Sequence, residues 1–414
     1  MNSRHVESLY RHAFAGLLAI VLCHCASAEE EQGRGPVRPE LTATLEGWRN
    51  THGGLRTGSW LNSLVSASVE VDGGAVRAPQ NSRFVAQVNW VRNRNDAETF
   101  ASYTGASSAV SGIMAGDHVR VYNLYFGIDG PDGRWSAKIG QLAADDDFML
   151  SEFGGLFLNA SFGAIPAQIG TPLGSRSAFG NAFAIYPVAA PGIWVRAEGP
   201  GDTSFQAGVY HGGPGPDEAG NFGFEYASLR ASGVLVFSEM EWTCNPAGRR
   251  ATAHLGIAAH TGRFDDLHAA SREEDAGDKR GLYSLYWVND VVLVPDGTKP
   301  RIGAFTRIGF SPQQHRAVVL AYGDAGLNWF GAIRGRESDV LGLAVSATRF
   351  SNAYRMLEGR AATETTVELT YKARVTERLS VQADAQLLLD PARKPGGLSR
   401  DTAVVFGCRT ALSF

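Results

Sequence analysis

Two alternating runs, VELTYKARV (367–375) and LSVQADAQLLL (379–389), are joined by the short segment TER (376–378). In each run apolar residues alternate with polar or charged ones, which is the period-two pattern of a β-strand with two unlike faces. A connection of three residues is typical of a tight turn between antiparallel strands. The stretch therefore predicts a β-hairpin, and the rest of the chain follows the same pattern.

The alternation recurs along most of the 414 residues. Clusters rich in Gly, Pro and Asp separate the alternating segments. The segments are 135–141, 192–198, 204–211, 253–260, 301–308 and 402–414. The longer runs continue for about nine to eleven residues, whereas strands of soluble proteins usually hold about five to six. We therefore expect an all-β protein with long strands.

Strands of this kind fit two architectures. In a soluble sandwich one face fills a core and the other meets water, whereas in a transmembrane barrel the apolar face meets lipid and the polar face meets a wet lumen. About nine to eleven residues is the length that a tilted strand needs to cross a bilayer. A sheet in lipid must close on itself, because unpaired backbone groups are too costly there. We favour a transmembrane antiparallel β-barrel.

The N-terminus has the features of a secretory signal. Arg4 and Arg11 come before an apolar run at residues 13–23, and ASA at 26–28 matches a small-x-small cleavage pattern. The apolar run is too short for a spanning helix, which needs about 20 such residues. We predict a cleaved signal peptide over residues 1–28.

The length of the mature chain limits the size of the barrel. Removal of 28 of the 414 residues leaves 386, which at roughly 20 to 25 residues per strand and connection predicts about 16 strands, with 18 as the alternative. Residues 29–58 are predicted to be a periplasmic segment with a short helix, because Leu41, Leu45 and Trp48 have helical spacing. The barrel is predicted over residues 59–414.

Composition and motifs exclude several function classes. The formal net charge is −4, so nothing favours a nucleic acid partner. The sequence has no HExxH, GxSxG or P-loop motif, and the triplet at 145–147 is too small an oxygen cluster for calcium. Cys244 and Cys408 are the only cysteines beyond the predicted signal peptide, and two cysteines are too few for a disulfide-stabilised scaffold. We expect no enzymatic activity, no metal and no cofactor.

A barrel of this size encloses an aqueous channel rather than a side-chain core. Polar and aromatic residues on the inner face are candidates for lining it and contacting a solute, since an Arg or Lys against lipid costs about 2–4 kcal/mol. The alternative is that opposite charges simply pair across strands. The candidates are Arg83, Arg120, Lys138, Trp194, Arg196, Tyr210, Arg307, Glu368, Lys372, Arg374, Asp384 and Arg409.

Several segments, in order along the chain, resemble the carbohydrate-selective porin family of the OprB type. They include HGGLR (52–56), KIGQL (138–142), LFLNASFG (156–163), YPVAAPG (186–192), HTGRFDD (260–266), RGRESDVLG (334–342) and the closing hairpin of 364–391. The resemblance implies an outer-membrane channel that passes small sugars by diffusion, and a homotrimer. Phe414, which ends the last strand, resembles the signal read by the barrel assembly machinery.

The stretch from Asp145 to Pro191 is long and rich in Gly, Ala and Phe. By its size and by the resemblance, it is our candidate for a connection that folds inward and sets the narrowest width of the channel. Arg176 would then be the polar group of this connection that is best placed to contact a solute. The alternative is two further strands joined by an ordinary loop.

Three other functions remain open on the sequence. A general or anion-favouring diffusion porin would have the same architecture without sugar selectivity. An outer-membrane barrel enzyme would need a Ser–His pair, and no local pattern supports one. A secreted β-rich sugar-binding protein would be recovered in the soluble periplasm.

Overall fold

The computed structural model describes residues 35–93, 103–163, 165, 183–215, 221–272, 277–297, 299–391 and 402–414. In these residues, sixteen antiparallel strands form one closed barrel in which neighbours in sequence are neighbours in the sheet. The prediction of about 16 strands is confirmed, and the alternative of 18 is wrong.

The strands are β1 (Val37–His52), β2 (Gly58–Asp72), β3 (Ser82–Asn93), β4 (His118–Asp129), β5 (Trp135–Leu142), β6 (Ala190–Glu198), β7 (Thr203–His211), β8 (Val234–Cys244), β9 (Ala251–Asp265), β10 (Asp278–Asp296), β11 (Lys299–Phe310), β12 (Val319–Phe330), β13 (Val340–Phe350), β14 (Thr363–Arg374), β15 (Leu379–Leu389) and β16 (Ala403–Ser413). The described connections contain the short helices α1 (Leu229–Ser232), α2 (Leu267–Ala270) and α3 (Asn352–Glu358). They also contain 3₁₀ turns at Gly73–Val76, Ala144–Asp146, Gly154–Leu156, Ala160–Phe162 and Pro246–Gly248.

The barrel closes between its first and last strands. On one edge of β1, Leu45 pairs with Thr410 and Glu46 with Arg409. On the other edge β1 pairs with β2 along most of its length. Every strand thus has a partner on both sides, which satisfies the backbone hydrogen bonds that lipid cannot.

The two faces of the sheet differ in polarity. Large apolar side chains on the outer face are about half exposed, among them Ile193 (52%), Leu369 (50%) and Phe205 (49%). Their neighbours along the strands, such as Trp194 and Glu368, are buried on the inner face. A soluble protein rarely exposes such large apolar surfaces, so the outer face is the lipid-facing band of a barrel.

The predicted helix at residues 41–50 is wrong, because this segment belongs to β1. Leu41 and Leu45 fit a helical period, but with Ala43 between them they fit a period of two equally well. Hydrogen bonding to β2 and β16 decides the outcome, since a short isolated helix gains no comparable partners. The barrel therefore begins before residue 59.

The two ends of the barrel carry different connections. One end, here called the turn end, has mostly short connections such as 375–378, and it holds both the start of β1 and Phe414. Main-chain hydrogen bonds join Phe414 to Leu41 there. The other end, here called the loop end, has the long connections, including those after β3 and β5.

None of the helices in the described residues is long and apolar enough to cross a membrane. Cys244 and Cys408 are free and exposed. The predicted signal peptide (1–28) lies outside the described residues, as does Arg176.

Candidate functional site

A segment between β5 and β6 runs inside the barrel along its wall. Its residues 143–163, here called the belt, are bonded to inner-face side chains of strands from β4 round to β15. The described residues of the connection from 145 to 191 contain no strand before β6. The connection therefore folds inward, and the alternative of two further strands is not found in its described part.

The first half of the belt is held by β5, β7 and β8. Lys138 Nζ lies 2.6 Å from a carboxylate oxygen of Asp147. Gln206 Nε2 donates to the main-chain oxygen of Asp147 at 2.7 Å, and the main-chain N–H of Met149 donates to the Glu239 carboxylate at 2.9 Å. Polar wall side chains thus fix the course of the belt backbone.

The second half of the belt is held in the same way by β10 and β14. Asp290 accepts the main-chain N–H of Phe153 at 3.1 Å. Glu368 accepts two main-chain N–H groups, those of Leu158 at 2.6 Å and Asn159 at 2.9 Å. The carboxyl oxygens of Asp290 and Glu368 thus accept main-chain N–H groups at three successive places, and both side chains are attachment points for the belt backbone.

A second inward segment, residues 103–117, packs beside the belt. The main-chain N–H of Ala160 donates to the oxygen of Ala109 at 2.8 Å. Glu364 of β14 accepts the main-chain N–H of Ser107 at 2.9 Å. The two inward segments therefore form one connected layer that is bonded to the wall.

Aromatic side chains fill the space between the belt and the wall. Phe153, Phe157 and Phe162 of the belt cluster with Phe305 of β11. The ring of Phe153 lies over Gly303, where any Cβ would overlap the ring. Apolar packing thus adds to the hydrogen bonds that hold the belt.

Arg307 and Asp324 form a buried ion pair behind the belt. Arg307 Nη2 lies 2.6 Å from Asp324 Oδ2, and neither side chain has exposed surface. Arg307 Nη1 also donates to the main-chain oxygen of Gly163 at 2.5 Å. Arg307 was predicted to line the lumen, but the inward segments cover it. Its contacts support the belt instead.

Five other candidates from the sequence are also covered on the inner side. Their exposed fractions are at most 6%. They are Arg120, Trp194, Tyr210, Glu368 and Asp384. Lys138 is slightly more open, but it binds Asp147 and lies 4.4 Å from the centre of the Trp194 ring. These side chains are placed to support the inward layer rather than to meet a solute.

Three further candidates are ion-paired at the inner surface. The pairs and distances are Arg83–Asp129 (2.7 Å), Arg196–Glu241 (3.4 Å) and Arg409–Glu46 (2.6 Å). Pairing across strands was the alternative role for lumen charges. The two roles are compatible here, because the side chains of all three arginines remain partly exposed.

Lys372 and Arg374 differ from all the others. Both lie on the inner face of β14 near the turn end, and both are exposed. Neither side chain makes an ion pair with any of the described residues. They are the candidates that are most accessible to a solute.

Asp145 and Asp146 lie side by side in the belt, outside the strands. Tyr122 donates its hydroxyl hydrogen to Asp145 at 3.1 Å, and Asn123 donates to Asp146 at 2.7 Å. The surrounding protein keeps water from Asp145, and the charge of Asp146 adds to this effect, so the pKa of Asp145 is raised to about 7. In the described part of the chain, no group of three or more His, Cys, Asp or Glu could hold a metal ion.

Four wall carboxylates that hold the inward segments were not among the predicted site residues. They are Glu46, Glu239, Asp290 and Glu364. Glu239 and Asp290 lie on the polar face of alternating strands, so strand parity was a sufficient signal for them. Glu46 was hidden by the prediction of a helix in that segment.

Comparison with known proteins agrees with this geometry. The family model described as carbohydrate-selective porin, OprB family, matches residues 92–414. The chain belongs to this family. As a carbohydrate-selective porin of the outer membrane, it passes small carbohydrates by passive diffusion, as the sequence predicted. A sequence search of curated proteins gives no significant match.

Solved structures show the same fold at low sequence identity. OprB of Pseudomonas putida, in its high-pH structure, is 19% identical with a TM-score of 0.79, and the match covers 92% of this chain and 94% of that chain. OmpF of Salmonella typhi is 8% identical with a TM-score of 0.55, covering 91% and 97%. The channel DcaP of Acinetobacter baumannii is 9% identical with a TM-score of 0.52 at the same coverage.

Proposed function

We propose that sugars cross the outer membrane through the part of the lumen that the belt leaves open, and that the belt sets the size limit. The supporting observation is the set of wall carboxylates, Glu239, Asp290 and Glu368, that accept main-chain N–H groups of the belt. A segment held at several points keeps a constant cross-section. Selection by size then follows from pore width.

The accessible polar side chains supply hydrogen bonds to sugar hydroxyls in this proposal. Charged side chains can exchange water for hydroxyl groups as a solute passes. The proposed contacts are the exposed or partly exposed cations of the inner face, Arg83, Arg196, Lys372, Arg374 and Arg409. The covered residues, including Arg307 and Glu368, support the belt.

Liposome swelling tests this proposal directly. Vesicles that contain the purified protein should swell quickly in glucose, more slowly in a disaccharide and least in a trisaccharide. A protein-free vesicle is the control for leakage. Failure to swell in glucose would overturn the proposed function, and equal rates for all three sugars would overturn the size limit.

We propose that the chain assembles as a homotrimer, as the family resemblance implies. The outer surface of β1 and β2 carries small side chains, among them Ala43, Gly47 and Ser63, which would allow close approach of a flat partner. Cross-linking in native membranes should give a trimer band. A monomer under all detergent conditions would contradict this assignment.

We also propose that Phe414 is read by the barrel assembly machinery. Phe414 is 42% exposed at the end of the chain, and its main chain is bonded to Leu41. Deletion of Phe414 should lower the amount of folded barrel while export to the periplasm continues. Normal barrel levels without Phe414 would contradict the proposal.

A further inference from the structure

A cavity of about 460 Å³ lies inside the barrel at the turn end. We call it the basin. On one side it is lined by the belt residues Glu152, Gly155 and Leu156. On the other side it is lined by strands β12 to β16 where they approach the turn end. A volume of this size is in the range of small-molecule sites.

Three cations line the basin, and none of them is neutralised by the described residues. They are Lys372, Arg374 and Arg378, which belong to the end of β14 and the turn after it. Arg378 lies 5.9 Å from the centre of the Phe414 ring, and the side chains of Lys372 and Arg374 make no ion pair in the described part of the chain. The basin therefore holds uncompensated positive charge.

The carboxylates at the basin do not cancel this charge. Glu152 is already bound by Arg250, whose Nη2 lies 2.6 Å from a Glu152 oxygen. Glu377 is exposed in the turn beside Arg378. Three cations therefore face one unengaged carboxylate.

Elsewhere on the inner face, arginines with partly exposed side chains have carboxylate partners, as in Arg38–Asp72 at 2.5 Å and Arg83–Asp129 at 2.7 Å. The positive charge of the basin is thus a local feature, not a general property of the lumen. A local excess of one sign in a low-dielectric wall attracts the opposite sign.

The basin also offers a free hydrogen-bond acceptor and an apolar surface. Asn328 Nδ2 donates to the main-chain oxygen of Phe153 at 2.8 Å, so the orientation of the amide is fixed. Its Oδ1 is buried and has no partner among the described residues. A buried acceptor without a partner is costly, and a sugar hydroxyl would satisfy it. Leu156 and Phe330 line the same cavity.

We propose that the basin is a binding site for an anionic monosaccharide, that is, a sugar bearing a carboxylate or a phosphate. The anionic group lies between Lys372 and Arg374, a hydroxyl donates to Asn328, and C–H groups of the sugar lie against Phe330. This site rests on the proposed function, because it would act on sugars in transit. It would favour acidic sugars over neutral ones at the turn end of the passage.

Current block in planar bilayers tests the site. Gluconate and glucose 6-phosphate should block the open channel at lower concentration than glucose, and the block should weaken as salt screens the charges. In the full-length Lys372→Gln/Arg374→Gln variant, the concentration of gluconate for half block should rise about ten-fold, and that of glucose, which carries no charge, should rise much less. Arg263→Gln is the matched control, because it removes an arginine that is paired with Asp278 at the loop end, away from the basin, and it should leave gluconate block within about two-fold.

The outcomes separate this site from the proposed function. Equal gluconate block in the wild type and the double variant would overturn the site. Block by acetate or inorganic phosphate as strong as by gluconate would overturn the sugar-acid assignment in favour of a simple anion site. If vesicles with the protein do not swell in glucose but gluconate still blocks the channel, the proposed function is overturned and the binding site is retained.

Discussion

Glu368 and Lys372 lie four residues apart on the same face of strand β14, yet they have different surroundings. Glu368 has no exposed surface, and its two oxygens accept N–H groups from the belt. Lys372 is exposed in the basin, below the level of the belt. Strand parity assigns both to the inner face, but the depth at which the belt crosses the strand decides which one supports structure and which one meets solute.

The same contrast separates two groups of charges on the inner wall. At the level of the belt the charges are buried and engaged, as in the Arg307–Asp324 pair. At the turn end they are exposed, and those of the basin lack acidic partners among the described residues. Substitutions at the belt should therefore change stability and pore width, whereas substitutions in the basin should change selectivity.

The largest effect is expected for Arg307→Met. It leaves Asp324 charged and buried without its partner, which should lower the free energy of unfolding by about 3–5 kcal/mol. Urea unfolding in detergent micelles measures this change. The control is Arg307→Met/Asp324→Asn, which removes both charges and should recover most of the loss. If the double variant is as unstable as the single one, the charge pair is not the cause.

A smaller effect on stability and a clear effect on the channel are expected for Glu368→Gln. An amide has one acceptor oxygen where the carboxylate offers two, so one belt N–H loses its partner at a cost of about 1–3 kcal/mol. The belt should loosen, and single-channel conductance and current noise should both rise. The isosteric change Glu225→Gln, in an exposed loop outside the belt and the basin, is the control. Unchanged conductance in Glu368→Gln would show that the attachment of the belt by Glu368 does not set the pore width.

Arg196→Gln should alter ion selectivity with little change in stability. The Arg196–Glu241 pair is partly exposed, and such pairs contribute about 0–1 kcal/mol. Loss of one positive charge from the inner surface should shift the reversal potential in a KCl gradient toward cation preference. A large drop in the unfolding midpoint instead would show that Arg196 supports the belt.

The last effect concerns pH and Asp145. The pKa of Asp145 in the folded chain lies above its ordinary value of 3.8, so the folded state holds this proton more firmly than the unfolded chain. The resulting stabilisation is complete below about pH 4 and is lost as the pH rises through about 7. Asp145→Asn should therefore flatten the change in unfolding midpoint between about pH 5 and pH 8. The same slope in both proteins would refute the assignment.

The barrel could be predicted from the sequence because the alternation of apolar and polar residues is a local pattern. Alternation in β14 and β15 identifies the hairpin, and the inner and outer faces follow from residue parity. The helix predicted at residues 41–50 failed because Leu41 and Leu45 fit both periods. Pairing with β2 and with β16, the latter more than 350 residues away in sequence, resolves that ambiguity.

The candidate site was less predictable because its contacts are not local. Nothing in the neighbourhood of Arg307 shows that the main chain of Gly163 covers it. The belt has no periodic pattern, and its path depends on carboxylates scattered over strands from β8 to β14. Parity therefore identified inner-face residues, but it could not separate the covered residues from the accessible ones.

The most direct test of the central claim compares sugar size limits in the wild type and Glu368→Gln by liposome swelling. If the wall carboxylates hold the belt and the belt sets the pore width, the wild type should admit glucose and largely exclude a trisaccharide. The variant should admit the trisaccharide at a higher rate relative to glucose. An identical dependence on sugar size in the two proteins would contradict the account.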